Sequence, residues 1–358
     1  MFALDNPWML SLVGLACGMF IGVVARLHHF CTLSSLERYW YADDSRGVRT
    51  WALAGAVALL LTQLLQLNHS INIASTFYLQ PSFNPLGTIA GGLAFGFGMA
   101  LVGTCGFGAL VRLGGGSLRS LIIVCTMGLA ALAASRGAIG QLRVYIADRF
   151  SVDLTFAKSQ SIADIASSLT GLDLIMPVTL LMGAGIFYWV FSSSLYRREY
   201  GQQFTGLAIG ASVAFGWWAT SYFKQHLFTE VQLESASFVL PPGEILMHMI
   251  FSTGSLPDYG MGLTVGVVLG SAITSTLKND VRWEACDSAQ ELGRHLIGAI
   301  LMGVGGVFAL GCTIGQGVSA LSVLALSAPI ALGSIVLGAR IGLSLLISGF
   351  PRFQLTNR

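Results

Sequence analysis

The chain has 358 residues, 54% of them hydrophobic and only 10% charged, with 44 glycines and a formal net charge of +2. Soluble domains average about 25% charged residues, so this composition excludes a soluble globular domain and gives no reason to expect a nucleic-acid partner. Six cysteines at scattered spacings form neither a disulfide framework nor a CxxC-type zinc pattern.

Windows of roughly 18 or more apolar residues are long enough to span a bilayer. They predict an all-α polytopic membrane protein, one transport domain over residues 1–358, with about nine transmembrane helices. Met1 to Pro7 carries no basic n-region, so the first apolar segment is expected to be a retained helix rather than a cleaved signal. Helix one runs from about Trp8 to Ala25, with Gly14, Gly18 and Gly22 at the spacing that suits close helix packing in lipid. After it come Arg26-Leu27-His28-His29-Phe30-Cys31-Thr32-Leu33-Ser34-Ser35 and a charged loop with Asp43, Asp44, Arg46 and Arg49. Helix two covers about Trp51 to Leu67, and the loop 68–87 contains Pro81 and Pro85 but no Lys or Arg. Helix three runs from about Thr88 to Gly103 and stops at Cys105, a half-helix continues to about Leu113, and helix four covers Ser117 to about Ser135.

Residues 136–171 are polar enough to lie outside the core, with amphipathic surface helices suggested by Ile139, Leu142, Tyr145 and Ile146 and by Ile162, Ile165 and Leu169. Helices five and six are expected over Leu172 to Phe191 and Phe204 to Phe223, followed by a long polar connection to Gly243. A short segment, Glu244 to Phe251, breaks at Ser252-Thr253-Gly254-Ser255 before helix seven, Gly260 to Leu277. Helix eight covers Gly293 to Gly311 and stops at Cys312. A half-helix then runs to about Leu326, and helix nine from Ala328 to Ile347.

Two of these stretches repeat. An offset of 207 residues superimposes Gly91 on Gly298, Gly96 on Gly303, Gly98 on Gly305, Cys105 on Cys312 and Gly108 on Gly315. Phe30-Cys31-Thr32-Leu33-Ser34 has a weaker echo in Phe251-Ser252-Thr253-Gly254-Ser255. Each half therefore carries two breaks, with four short broken or re-entrant half-helices in all. Inverted repeat 1 is placed at about 8–135, the connecting segment at 136–203 and inverted repeat 2 at about 204–350. Inverted repeats with broken helices meeting near the midplane are a known transporter plan. Arg26, Arg38, Arg46, Arg49, Arg112, Arg119, Arg197, Arg198, Lys278, Arg282 and Arg294 fall on one side under this plan. The loops 68–87 and 312–327 carry no Lys or Arg. The positive-inside rule then puts the N-terminus outside and the C-terminus inside. Arg136, Arg143, Arg149 and Lys158 are the exception, on the outer side.

Non-helical backbone at membrane depth needs protein or water around it, so the breaks imply a central cavity. Half-helix N-termini turn partial positive charge and free N–H groups toward such a cavity and favour an anion. The candidate substrate-binding residues are Cys31, Cys105 and Cys312, with Gly103, Thr104, Gly106, Gly311, Thr313, Ser252 and Gln316 around them. A lone cysteine is ordinarily a small buried hydrophobe, and Cys17 and Cys125, both mid-helix, are read that way. Three cysteines at three breaks argue for a role. Arg26, Arg112 and Arg119 read first as topology anchors, and His28 and His29 as membrane-edge residues. No P-loop, GxSxG, HExxH or nucleotide fingerprint is present, so neither a cofactor nor coupling to ATP is expected.

On the motifs GTCGFGALVRLGGGS, ALGCTIGQGVSA and HHFCTLSS, and on its length, the chain resembles the YeeE/YedE family of bacterial sulfur-transport proteins. The resemblance implies thiosulfate uptake across the inner (plasma) membrane by a permease rather than an enzyme, and a pseudo-twofold, hourglass-like fold. It also implies a relay of cysteines in central loops, matched here by Cys31, Cys105 and Cys312, and no cofactor. A small cytoplasmic sulfurtransferase of the TusA-like type is a frequent partner of the family. Family members in selenium-related settings leave a selenium species open as substrate. A soft-metal channel or a membrane thiol sulfurtransferase or redox protein remain the alternatives.

Overall fold

The computed structural model describes residues 8–147, 150–154, 157, 159–172, 174–226, 231–252 and 256–348, less the side chains of Leu142, Ile146 and Ala147. Arg149, Lys158 and the Thr253-Gly254-Ser255 part of the last break lie outside the described residues. The apolar runs form α1 (Trp8–Leu27), α3 (Arg46–Leu67), α4 (Pro85–Val102), α6 (Leu118–Ser135), α9 (Ile175–Phe191), α10 (Tyr200–His226), α12 (Tyr259–Leu277), α13 (Ala289–Phe308) and α14 (Ser327–Ser348). Shorter helices are α2 (Thr32–Tyr41), α5 (Gly106–Gly114), α7 (Ala138–Ala147), α8 (Ile162–Thr170) and α11 (Pro241–Ile250). Seven helical stretches among the described residues are long and apolar enough to cross a membrane, beginning at Trp8, Arg46, Pro85, Leu118, Tyr259, Ala289 and Ser327. α9, at 17 residues, is apolar but shorter, and α10 is longer but less apolar.

Local chemistry sets the starts of these helices. Asn84 Oδ1 accepts the Gly87 N–H at 2.9 Å with Pro85 in the first turn of α4, and Asp258 Oδ1 accepts the Met261 N–H at 2.8 Å at the start of α12. Satisfying first-turn donors this way matters most where water is scarce.

Glycine then sets how closely the helices approach. α1 lies along α12 with Gly14, Gly18 and Gly22 against the carbonyl oxygens of Tyr259, Leu263 and Val267, and a Cβ at Gly18 would lie 2.1 Å from the Leu263 oxygen. α4 crosses α13 with Gly91 against the Gly305 carbonyl and Gly98 against the Gly298 carbonyl, so the two helices run antiparallel. These four glycines are among those the 207-residue offset pairs. The packing is reciprocal elsewhere too. α1 packs on α12 and α10 on α3, while α4 packs on α14 and α13 on α6. Gly96 meets the Ile335 carbonyl of α14, and Gly303, its counterpart, meets the Met127 carbonyl of α6.

The polar connection after α6 does more than skirt the surface. β1 (Ser82–Phe83) pairs antiparallel with β2 (Val152–Asp153). Leu154 N–H donates to the Pro81 carbonyl at 2.9 Å, Ile162 N–H to Leu324 at 2.8 Å, and Leu326 N–H to Gln160 at 2.9 Å. Leu154 is thereby tied to the loop before α4, and Gln160 and Ile162 to the segment that leads into α14.

Candidate functional site: three cysteines where helices break

α4 ends at Gly103, whose φ of 78° is left-handed and whose N–H caps the Met99 carbonyl at 2.8 Å. Thr104 is buried, and Cys105 takes the N-cap position of α5 in extended conformation. Its Sγ accepts the Gly108 N–H at 3.3 Å, the role usually held by an Ser, Asp or Asn oxygen. Sulfur is a weak acceptor, so the first-turn donors of α5 are lightly held and the positive end of the helix is only partly neutralised.

The second break repeats the device. α13 ends at Phe308, Leu310 has a φ of 60° and Gly311 a φ of 157°. Cys312 Sγ accepts the Gly315 N–H at 3.3 Å. The backbone then widens into a π-helical turn over Gly315–Ala320, a rare form that concentrates at functional sites. Gln316 is fully buried, and its Nε2 donates to the Ala309 carbonyl at 2.6 Å while its Oε1 accepts from Ser327 Oγ at 3.4 Å. Its amide thus ties the two sides of the break together. Thr313 is fully buried, and Gly106, the first residue of α5, packs against Met127 and the Phe238 carbonyl.

Cys31 is the N-cap residue of α2, and its Sγ lies 3.7 Å from Thr104 Oγ1. A Cβ at Gly108 would lie 3.1 Å from Cys31 Sγ and 3.5 Å from Cys105 Sγ, so both sulfurs border one small space. Next in sequence, Thr32 Oγ1 donates to Thr313 Oγ1 at 3.3 Å, which joins the first half's break to the second's. The structure therefore brings Cys31, Thr104 and Cys105 together and joins them, through Thr32 and Thr313, to the break that carries Cys312, with Gly103, Gly106 and Gly311 shaping the backbone. Ser252 is placed elsewhere: it is exposed on the turn after α11.

A segment that reads in sequence as a polar connection occupies the centre instead. Phe238 packs on Phe107 with ring centroids 5.0 Å apart, and Phe107 meets Phe30 at 6.2 Å. Ser319 Oγ donates to the Ala236 carbonyl at 2.8 Å, Ser235 Oγ to Val213 at 2.7 Å, and Ser237 borders Gly315. The available signal was the apolar spacing of Leu233, Ala236, Phe238, Val239 and Leu240, in a stretch with no Lys or Arg from 225 to 277.

Cavities approach this centre from two ends. One of about 250 Å³ reaches Cys31 and Gly108 and is lined by Arg26, His29, Arg38 and Arg112, with no carboxylate in its lining. Arg26 is paired with Asp280 at 2.9 Å, whereas Arg112 has no ion pair or hydrogen-bonded partner among the described residues. Asp280 lies on the loop that leads into α13. At the opposite end of α13, cavities of about 470 and 150 Å³ reach Leu310, and the smaller one Gly311. Between them Cys105 and Cys312 are 0% and 1% exposed, so the structure is closed at its middle.

Apolar helices in reciprocal packing, broken around buried cysteines and approached from both ends by cavities, define a polytopic helical membrane protein with a central site. The chain belongs to the family described as sulphur transport, whose sequence profile matches residues 29–341 and so includes all three breaks that carry a cysteine. It is similar to the thiosulfate transporter TsuA of Escherichia coli strain K12, 26% identical over 317 residues that cover 86% of each chain. It is also similar to the thiosulfate transporter TsuA of Spirochaeta thermophila, 25% identical over 358 residues covering 91% of this chain and 96% of the relative.

Proposed function

We propose that this protein is a permease that takes up thiosulfate through the centre where Cys31, Cys105 and Cys312 meet. The observation that carries the reading is the placement of the three thiols at converging half-helix starts, with a cavity on either side. Thiosulfate is a dianion with a soft terminal sulfur. Half-helix dipoles offset part of the cost of desolvating its charge, and thiols offer weak S–H donors to its sulfur. A path must bind weakly at several sites so that the ion can leave. The order is Cys312 first, Cys105 near the middle and Cys31 last, before the ion enters the arginine-lined cavity.

The membrane is the bacterial inner membrane, with the N-terminus outside and the C-terminus inside. The two halves are inverted repeats related by a pseudo-twofold axis, a reading supported by the reciprocal helix packing and the glycine pairs. A TusA-like sulfurtransferase at the inner face would accept the sulfur that arrives there. The test is uptake of radiolabelled thiosulfate by cells stripped of other uptake routes. Uptake that depends on this protein is expected, and no difference with and without it would sink the reading. Reporter fusions in the Arg197/Arg198 loop and in 68–87 should report opposite sides.

A further inference from the structure

The geometry points to a second anion site, distinct from the cysteine centre: Arg143 and Gln160 capture the oxygen end of a sulfur oxyanion in the cavity over the Leu310–Gly311 break. This rests on the permease reading. The 470 Å³ cavity and its 150 Å³ neighbour share Phe77, Arg143, Val307 and Leu310. Arg143 is the only cation in either lining among the described residues, and neither lining contains a carboxylate. It has no ion pair or hydrogen bond among the described residues, so its donors are free to face the cavity.

Gln160 is the independent observation. It is 1% exposed, it lines the larger cavity, and neither its Nε2 nor its Oε1 has a hydrogen-bond partner among the described residues. Buried amides are almost always paired, and a group left unpaired is costly unless a ligand completes it. Its backbone is not free to drift, because its carbonyl accepts the Leu326 N–H at 2.9 Å and the adjacent Ser161 bridges Ala325. The side chain is thus held in the wall of the 470 Å³ cavity by a fixed strap, in the same lining as Arg143, with its amide closed off from the space as it stands; turned outward onto an ion, both of its polar atoms would gain partners. Arg143 also belongs to the cluster that breaks the positive-inside pattern, and a ligand-binding duty explains an arginine on that side.

A guanidinium fork and an amide N–H read oxygens; they do not read a soft sulfur. This site therefore accepts thiosulfate and sulfate alike, whereas the thiols beyond it favour the ion with a terminal sulfur. Selectivity is divided between two places. Sulfate is expected to compete at the mouth without passing.

The experiment measures initial rates of radiolabelled thiosulfate uptake over a range of concentrations, with and without sulfate, at matched membrane abundance. Arg143→Gln should raise the half-saturating concentration about tenfold, leave the maximal rate within about twofold, and abolish inhibition by sulfate. Gln160→Leu should act in the same direction more weakly, and Arg143→Lys should restore part of the affinity. A second arm measures thiosulfate binding to purified Cys105→Ala protein, which keeps the outer cavity intact. Binding should persist there and be lost when Arg143→Gln is added. An unchanged half-saturating concentration and unchanged sulfate inhibition in both Arg143→Gln and Gln160→Leu would overturn the site while leaving the permease standing. Absence of wild-type uptake would remove the permease reading itself.

Discussion

The break at Cys105 and the break at Cys312 share one capping device and differ in nearly everything around it. In both, a cysteine sulfur accepts the N–H three residues on, at 3.3 Å. After Cys105 the chain resumes as regular α-helix, a second thiol from Cys31 lies beside it, and the nearest cavity holds three arginines. After Cys312 the chain resumes as a π-helical turn fixed by the Gln316 amide, and the flanking side chains are serines and aromatics. The shared part is what a path needs in order to offer sulfur and helix dipole together. The unshared part leaves one break beside an arginine-lined cavity and the other beside serines and aromatics, which is the asymmetry the proposed direction of uptake rests on.

The largest effects should come from removing the shared device. Cys105→Ala is expected to slow thiosulfate uptake at least tenfold, since a lost charge-assisted contact costs about 1.5–3 kcal/mol. Cys312→Ala and Cys31→Ala should also impair uptake, less severely than Cys105→Ala. Serine should rescue only partly, because a hydroxyl is harder and better hydrated than a thiol. Cys17→Ala and Cys125→Ala should transport nearly normally. Wild-type uptake by Cys105→Ala, at equal abundance in the membrane, would end the relay.

The next comparison is between a packing glycine and a path glycine. Sequence spacing assigns Gly18 to packing and Gly311 to the path, and the distances now rank their tolerance. A Cβ at Gly18 meets the Leu263 carbonyl at 2.1 Å, whereas the nearest atoms to one at Gly311 lie at 3.4 Å. Gly18→Ala must push α1 off α12, at a cost of about 1–3 kcal/mol for overpacking. It should lower the amount of folded protein recovered from membranes. Gly311→Ala has the space but must hold a φ of 157° that alanine rarely adopts, so it should be recovered better than Gly18→Ala though below wild type, and should change the uptake rate per molecule. If Gly18→Ala is recovered as well as wild type, the close approach of α1 and α12 is not what holds the halves together.

Gln316 comes third. Gln316→Leu leaves the buried Ala309 carbonyl without its donor, at a cost of about 1–3 kcal/mol, and frees the turn around Leu310. A lower melting temperature is expected in detergent, together with reduced uptake. Unchanged melting would mean that the amide is not the tie across this break.

Much of this architecture is legible from spacing alone. Among the described residues, seven of the nine expected spans are long and apolar enough to cross a membrane and fall where apolar windows place them, because length and hydropathy report burial in lipid directly. The offset that pairs Gly91 with Gly298 and Gly98 with Gly305 marks the residues that touch across α4 and α13, since only glycine permits that approach. The same reasoning placed the fourth break at Ser252, and there the structure puts an exposed turn. The buried counterpart is the Leu233–Leu240 stretch, which forms no helix and therefore has no period to read; its Glu234 and Ala236 carbonyls accept from Thr220 and Ser319, and its Ser235 hydroxyl donates to the Val213 carbonyl, partners that lie outside the stretch. The Gln160 strap escaped for a related reason. Its polar composition resembles a surface loop, and only pairing with Leu324, Leu326 and Pro81 reveals it as a cover.

The smallest expected effect is also the most direct probe of how a closed centre opens. Thr32 and Thr313 are 281 residues apart and joined by a 3.3 Å hydrogen bond, each beside a cysteine. On the proposed path from Cys312 to Cys31, the ion would pass between the chains that this bond links. Thr32→Val keeps the volume and removes the donor, while Thr32→Ser keeps the donor. A buried neutral hydrogen bond contributes about 0.5–1.5 kcal/mol, so Thr32→Val should melt slightly earlier. If the bond breaks each time the centre opens, its loss favours the open state, and maximal uptake should rise about two- to threefold. Thr32→Ser should match wild type in both measurements. A fall in uptake that tracks the loss of stability in Thr32→Val would show the bond to be scaffold, and the opening would then have to be sought at the aromatic layer of Phe30, Phe107 and Phe238.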